Sequence, residues 1–194
     1  MKFELRQHRA HDASLASILH YNAALLAQAY DTIARLLSEA DPAFRFAQAV
    51  GPHLRHVLDH YKAIMAGLGQ APDIRISYDV RDRDMAIQNQ PIVAMASLAA
   101  MQESLQLCAD SRDTVWGMDT PVQVVAQAGL EGEFELSTSS TLGRELLFLS
   151  SHTVHHFALV SHYCKAAGVD MGADFGKAPA TVAFERMVEA HACA

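Results

Sequence analysis

Four long stretches of the sequence carry apolar residues at the three- and four-residue spacing of an amphipathic helix, and this periodicity constrains the fold more than any other feature. The first stretch runs from residue 13 to residue 38, with Asp12 as its predicted N-cap, and Asp41-Pro42 ends it because a residue before proline disfavours the α conformation. The second begins near Gly51-Pro52 and ends at Leu68, where Gly69 supplies the stop.

The third predicted helix covers residues 85 to about 112, and Pro91 either kinks it or marks its true first turn. The fourth runs from about Leu142 to Ala167, with an N-cap among residues 139 to 141 and a stop at Gly168. A short helix is expected at residues 181 to 189 in an otherwise irregular tail.

Residues 122 to 128 and 133 to 138 alternate apolar and polar side chains around the turn Gly129-Leu130-Glu131-Gly132, which predicts a β-hairpin. The charged segment from Tyr78 to Asp84 is interpreted as a solvated loop that leads into a helix, or as a loop over a site. Taken together, these patterns predict an all-α fold of one domain over residues 1–194, a four-helix bundle with a small hairpin before its last long helix.

The composition excludes several functional classes. The 194 residues carry a net charge of −7 without a basic run or a basic face, so nucleic acid is not an expected partner. The longest apolar run, residues 92 to 101, is about half of what a bilayer needs, and the N-terminus lacks the pattern of a secretory signal. We therefore expect no membrane association and a cytoplasmic location. Three cysteines without a CxxC pair argue against a disulfide framework.

The 11 histidines are clustered, and the clusters point to a metal site. His152 and His156 are four residues apart, so they share one face of the last long helix, whereas His155 points about 100° away from His156. His53, His56 and His60 line one stripe of the second helix. This spacing allows His152 and His156 to bind a metal with His56, with His60 or with both, and it also allows two separate sites.

The histidine block from His53 to Tyr61 and the segment Leu142 to His156 resemble the DinB/YfiT-like superfamily of small bacterial proteins, and the resemblance extends over nearly the whole chain. It implies an up-down-down-up four-helix bundle, frequently a homodimer, with a divalent-metal site of three histidines. The matching positions are His56, His152 and His156. His56 is preferred to His60 because the family's ligand opens the segment His-apolar-apolar-acid, here His56-Val57-Leu58-Asp59.

In this interpretation His53 and His60 stand behind the ligands or at the pocket rim, and Asp59 and Glu103 are expected to orient ligating histidines. Three neutral imidazoles leave coordination positions open for water or substrate, as in catalytic metal sites. The cofactor is expected to be one divalent transition metal, and zinc, nickel, iron and manganese all accept imidazole.

The resemblance further implies a metal-dependent enzyme of the thiol-transferase type, since relatives activate a low-molecular-weight thiol. Arg81, Arg83 or Arg144 would then receive a carboxylate of the thiol or of its partner substrate. Related iron-dependent sulfoxide synthases carry HxxxHxE, but Ala158 stands at the last position here, which counts against iron-oxygenase chemistry. The alternatives are a non-catalytic or stress-induced dimeric bundle with a structural metal and, more remotely, a haem protein that uses Met95 or Met101.

Overall fold

The computed structural model describes residues 14–111 and 115–192. This part of the chain forms six α-helices, three β-strands and one turn of 3₁₀-helix at Phe46–Gln48. In chain order the elements are α1 (Leu15–Glu39), α2 (Gly51–Leu68), β1 (Arg75–Ser77), α3 (Met85–Asn89), α4 (Pro91–Asp110), β2 (Pro121–Ala128), β3 (Phe134–Thr141), α5 (Leu142–Ala166) and α6 (Pro179–Ala192).

Most of the predicted helix ends are confirmed, and the exceptions have local causes. The side chain of Ser14 caps α1, while Asp12 lies outside the described residues. Pro91 starts a new helix rather than kinking one, since the chain leaves the α conformation at Gln90 and thereby separates α3 from α4. α4 ends at Asp110, two residues before the predicted end near Arg112, which itself lies outside the described residues. Thr141 caps α5, and α6 is longer than the expected residues 181 to 189.

The prediction of an all-α fold is wrong. The predicted hairpin is present, with β2 and β3 antiparallel, but β1 pairs parallel with β2, for example Ile76 with Val124, so the protein contains a three-stranded mixed sheet. The sequence pattern missed β1 because three residues are too few to establish an alternating pattern. Its partner strand is also more than 40 residues away, so no local signal marks the pairing. The helix-rich chain is therefore of mixed α/β type.

The core lies among the long helices and under one face of the sheet. α1 packs most extensively on α4 and also on α5, and α2 packs on α4, α5 and β1. Leu26, Ile33, Leu58, Leu98 and Leu146 are fully buried between these helices. At the start of α2 a Cβ on Gly51 would lie 1.9 Å from the carbonyl oxygen of Gln88, so only glycine permits this approach of α3. This packing sets α2 beside α5, the two helices that carry the histidine clusters.

By length and composition α4 is apolar enough to cross a membrane, with a mean hydropathy of 1.3 in its most apolar window. The apolar run of residues 92 to 101 alone was too short to span a bilayer, but the whole of α4 is long enough. Only 17% of that window is buried inside the described part of the protein, and Ile92 and Leu107 are exposed. One such helix is weak evidence for a membrane span, because helices of soluble proteins pass the same test.

Candidate metal centre

The facing sides of α2 and α5 bring three histidines together. His56 lies in the second turn of α2, while His152 and His156 lie one turn apart on α5. One nitrogen from each ring lies within 4.8 Å of the other two. The Nε2 atoms of His56 and His152 are 3.1 Å apart. The group could therefore hold a metal ion, and its members are the three residues that the sequence motif selects.

The spacing and the protonation of these rings fit a divalent cation. Two nitrogens on a tetrahedral ion with bonds of about 2.0–2.1 Å lie about 3.3 Å apart, close to the separation of the His56 and His152 nitrogens. Burial, with some repulsion between neighbouring rings, lowers the pKa of His56 and His152 to about 4 and that of His156 to about 3. The three imidazoles are therefore neutral near pH 7 and offer the lone pairs that metal ligation requires.

A directed chain of hydrogen bonds connects Arg81 to two of these rings. The Arg81 Nη1 lies 3.0 Å from the Nδ1 of His56, and because a guanidinium can only donate, His56 accepts at Nδ1. A neutral His56 then carries its proton on Nε2 and donates it to the Nε2 of His152. The sequence analysis proposed Arg81 as an anion receptor in a loop over the site, and the structure places it against His56.

His53 lies against His156. The Nδ1 atoms of the two rings are 3.0 Å apart, so one donates to the other. With a metal on the Nε2 of His156, the Nδ1–H of His156 would donate to His53, the arrangement by which outer partners usually orient a ligating histidine. The ring of His53 also packs against Tyr163, with centroids 5.6 Å apart. Tyr163 was not predicted, and its position on α5 about two turns beyond His156 was its only signal in the sequence.

His60 lies beside the three-histidine group but outside it. Its Nδ1–H donates to the carbonyl oxygen of His56, as a helical imidazole can to the preceding turn, at 2.9 Å. Its ring is stacked between His152, at a centroid distance of 4.4 Å, and Tyr78, at 5.1 Å. The helix spacing left open His56, His60, both, or two separate sites; the structure brings His56 into the group and packs His60 against it.

The buried carboxylate of Glu145 supports the side of the centre where Tyr78 and Phe148 lie, and no role was predicted for it from the sequence. Glu145, fully buried in the first turn of α5, accepts hydrogen bonds from the Tyr78 hydroxyl at 2.7 Å, from Ser140 at 2.6 Å and from Arg144 at 2.7 Å. Phe148 packs on both Tyr78 and His152, with centroids 5.4 and 5.6 Å away. Burial and the bond to Glu145 raise the pKa of Tyr78, so the hydroxyl remains a donor.

A second buried network ties the three helices together next to the histidines. Tyr61, fully buried on α2, donates to the side chain of Asn22 on α1 at 2.9 Å and lies 3.3 Å from the hydroxyl of Thr153 on α5. Asn22 in turn donates to the backbone carbonyl of Leu146. Since Tyr61 follows His60 and Thr153 follows His152, this network fixes the relative position of the ligand-bearing helices. A polar Asn22 within the apolar stripe of α1 was its signal in the sequence.

The other residues proposed from the sequence make no hydrogen bond to the three histidines among the described residues. Asp59, expected to orient a histidine, is buried and instead pairs with Arg55 at 3.1 Å, and its Oδ1 has no partner among the described residues. Glu103 lies exposed on α4, Arg83 is exposed with a positive φ of 50°, and Arg144 is largely exposed beside Glu145 and Phe148. Only Arg81 of the three proposed arginines contacts a histidine of the group.

A surface cavity of about 240 Å³ lies elsewhere, at the end of α1. Leu37, Asp41, Pro42 and Phe44 are among the residues that line it. None of the clustered histidines borders this cavity, so its size does not make it part of the candidate metal centre.

The stability of the metal-free protein is expected to fall as the pH is lowered from 7 to 5. The folded-state pKa values of His56, His152 and His156 lie below the ordinary value of 6.5. The unfolded chain therefore takes up protons first as the pH falls, and this protonation lowers its free energy relative to the folded chain. The stabilisation is complete above pH 6.5 and is lost progressively below it. Urea midpoints of EDTA-treated protein at several pH values measure the effect. His156→Asn should flatten the slope, whereas the exposed His162→Asn should keep it, and a midpoint that stays constant or rises towards pH 5 would contradict the prediction.

Comparisons with known proteins assign no family to the chain. No family model matches the sequence, and no solved structure matches it. A stretch of 107 residues, 55% of the chain, is 27% identical to FK506-binding protein 5 of Rhizopus delemar. The match spans 26% of that relative's length, so the chain corresponds to about a quarter of the curated relative. An identity of 27% over 26% of that relative's length does not show that this chain has the property in the relative's name.

Proposed function

We propose that the protein binds one divalent transition metal through His56, His152 and His156, and that it is a metal-dependent enzyme of the thiol-transferase type. One observation carries the metal proposal: three neutral imidazoles from two helices converge, each with a nitrogen within 4.8 Å of the others. The thiol and the transferase chemistry rest on the resemblance of the two histidine segments to the DinB/YfiT-like superfamily, to which we propose that the chain belongs. Zinc, nickel, iron and manganese all suit imidazole ligands.

When bound, a divalent cation supplies Lewis acidity, which lowers the pKa of a coordinated thiol and so provides a thiolate near neutral pH. The chain's own residues would hold and shape the site. His53 fixes the orientation of His156, and the buried Tyr61 network fixes α5 against α2. Phe148 stacks on one face of His152. His56 and His152 are themselves partly exposed, so a small ligand can reach the centre from solvent.

The competing proposal is a non-catalytic protein in which the same histidines hold a structural metal. A closed structural site predicts that chelation unfolds the protein, whereas an open site predicts a folded metal-free protein that binds small thiols only after metal loading. The partial exposure of His56 and His152 favours the open site. The homodimer, the cytoplasmic location and the absence of nucleic-acid partners remain predictions from composition and resemblance.

A panel of small thiols tests the proposal on protein purified without a tag. We expect at least one thiol to raise the Tm of the metal-loaded protein, by about 2–4 °C when its concentration is about five times its Kd. The same thiol should leave the EDTA-treated protein unchanged, and the corresponding alcohol should have no effect on either form. If no thiol shifts the Tm of the loaded protein and EDTA abolishes its helical circular dichroism, the structural-metal proposal replaces this one.

A further inference from the structure

Next to the candidate metal centre, Arg81 is a cation that no carboxylate of the described residues pairs with. Its guanidinium is partly buried, and its Nη1 donates to His56 while its Nε, shielded from solvent, has no hydrogen-bond partner among the described residues. No carboxylate within residues 14–111 and 115–192 lies at ion-pair distance from it. A buried donor on a charged group is costly when left unpaired, so this nitrogen is a position for a ligand.

The hydrogen bond from Arg81 to His56 is incompatible with ligation of His56, whichever nitrogen is used. If Nδ1 binds the metal, its lone pair is no longer available to Arg81. If Nε2 binds the metal, the neutral ring carries its proton on Nδ1 and cannot accept there. Ligation of His56 therefore releases Arg81, which then offers a free Nη1–H in addition to its free Nε–H.

The acidic side chains near Arg81 each have another partner, although the Oδ1 of Asp59 accepts no hydrogen bond within the described residues. Asp59 is paired with Arg55, Asp82 lies 3.6 Å from Lys62, and Asp79 accepts from the backbone N–H of Gln127. A loaded centre would therefore hold a divalent cation and a guanidinium side by side, surrounded by neutral imidazoles. Such a pair of cations favours a ligand with negative charge.

We infer that metal loading converts Arg81 from a hydrogen-bond donor to His56 into the receptor of a small carboxylate-bearing ligand, bound beside the metal. This inference rests on the proposed metal site and adds to it the charge of the ligand and the order of binding, metal first. A carboxylate fits better than a phosphate, because Arg81 is the single guanidinium in contact with the histidines among the described residues, and its planar donors match a carboxylate.

Two thiols that differ only in charge test the inference by calorimetry. We expect zinc-loaded wild-type protein to bind 3-mercaptopropionate more tightly than the neutral 3-mercaptopropionamide, by on the order of 10-fold, the value of a charge-assisted hydrogen bond. Arg81→Met should lower this ratio towards 1, leaving only the preference that the metal's own charge gives, whereas Arg83→Met, at an exposed neighbour, should retain it. Without zinc, neither thiol should bind. Inorganic phosphate should not displace the carboxylate thiol at an equal concentration.

Zinc titrations of the same variants separate this inference from the metal proposal. Arg81→Met is expected to bind zinc at least as tightly as the wild type, because the competing hydrogen bond to His56 and the nearby positive charge are gone. If the wild type binds no zinc, the metal proposal fails. If both proteins bind zinc but prefer the carboxylate thiol equally, the inference about Arg81 is wrong and the metal site stands. The same conclusion follows if the wild type shows no preference, as it would if Arg81 paired with the free Oδ1 of Asp59.

Discussion

Replacing His156 with alanine is expected to abolish stoichiometric metal binding and to leave the fold intact. Wild-type protein, purified without a tag and loaded with zinc, should hold about one equivalent. The variant should lose at least about 100-fold in affinity, because changes to residues that merely orient a ligand already cost 10- to 100-fold. His156 contacts His152, His56 and His53, so it occupies the centre of the cluster. Metal analysis after dialysis measures the stoichiometry, and circular dichroism measures the helical content.

His155→Ala is the matched control, since this histidine precedes His156 on the same helix but is exposed. Its removal should leave both the stoichiometry and the affinity unchanged. Equal metal content in His156→Ala and His155→Ala would show that the metal binds elsewhere. A wild-type protein that cannot be loaded would remove the basis of the proposed function.

The helices and their histidine faces could be predicted from the sequence because both are local properties. Helical periodicity places His152 and His156 on one face of α5 and separates them from His155 without any knowledge of tertiary structure. Pro91 was ambiguous, since proline is tolerated in a first turn and also disrupts an interior. The structure decides for the first turn, because Gln90 adopts an extended conformation before it.

The mixed sheet could not be predicted because its first pairing is not local. β1 has three residues, and Ile74 and Ile76 are buried on either side of exposed Arg75, too short an alternation to distinguish a strand from a loop. The pairing of Ile76 with Val124 depends on how α2 sets the chain beside the hairpin. The sequence placed His53 and Arg81 near the site but did not predict their contacts, because Arg81 reaches His56 across 25 residues and His53 reaches His156 across 103.

Glu145 lies in the same segment, Leu142 to His156, as two of the proposed metal ligands, but its contacts are structural. Its carboxylate connects the loop after β1, through Tyr78, with the end of β3, through Ser140, and with α5. Tyr78 stacks on His60, which stacks on His152, so the carboxylate is also connected with the metal centre through two rings. In the sequence it reads as an acidic residue in the first turn of a helix, a position that the helix dipole favours on its own. Only the fold distinguishes a fully buried acceptor from a surface charge.

Glu145→Ala is therefore expected to destabilise the metal-free protein by roughly 2–3 kcal/mol, the cost of leaving hydroxyl donors in a buried position without their acceptor. Most of the loss comes from the Tyr78 hydroxyl, which stays in a largely buried position without its acceptor, whereas the exposed Arg144 contributes little. Tyr78→Phe should cost only about 1 kcal/mol, because the carboxylate keeps Ser140 and Arg144 and no donor is left unpaired.

Urea unfolding of EDTA-treated protein measures these differences without a contribution from metal binding. The exposed Glu103→Ala on α4 is the control and should change the free energy of unfolding by no more than about 0.5 kcal/mol. In the double variant Glu145→Ala/Tyr78→Phe the two costs should not add, because the hydroxyl that Glu145→Ala leaves unpaired is absent. Additive costs, or a cost of Glu145→Ala below about 1 kcal/mol, would contradict the prediction. Either result would mean that water replaces the carboxylate and that the packing of Tyr78 and Phe148 against the histidines does not depend on it.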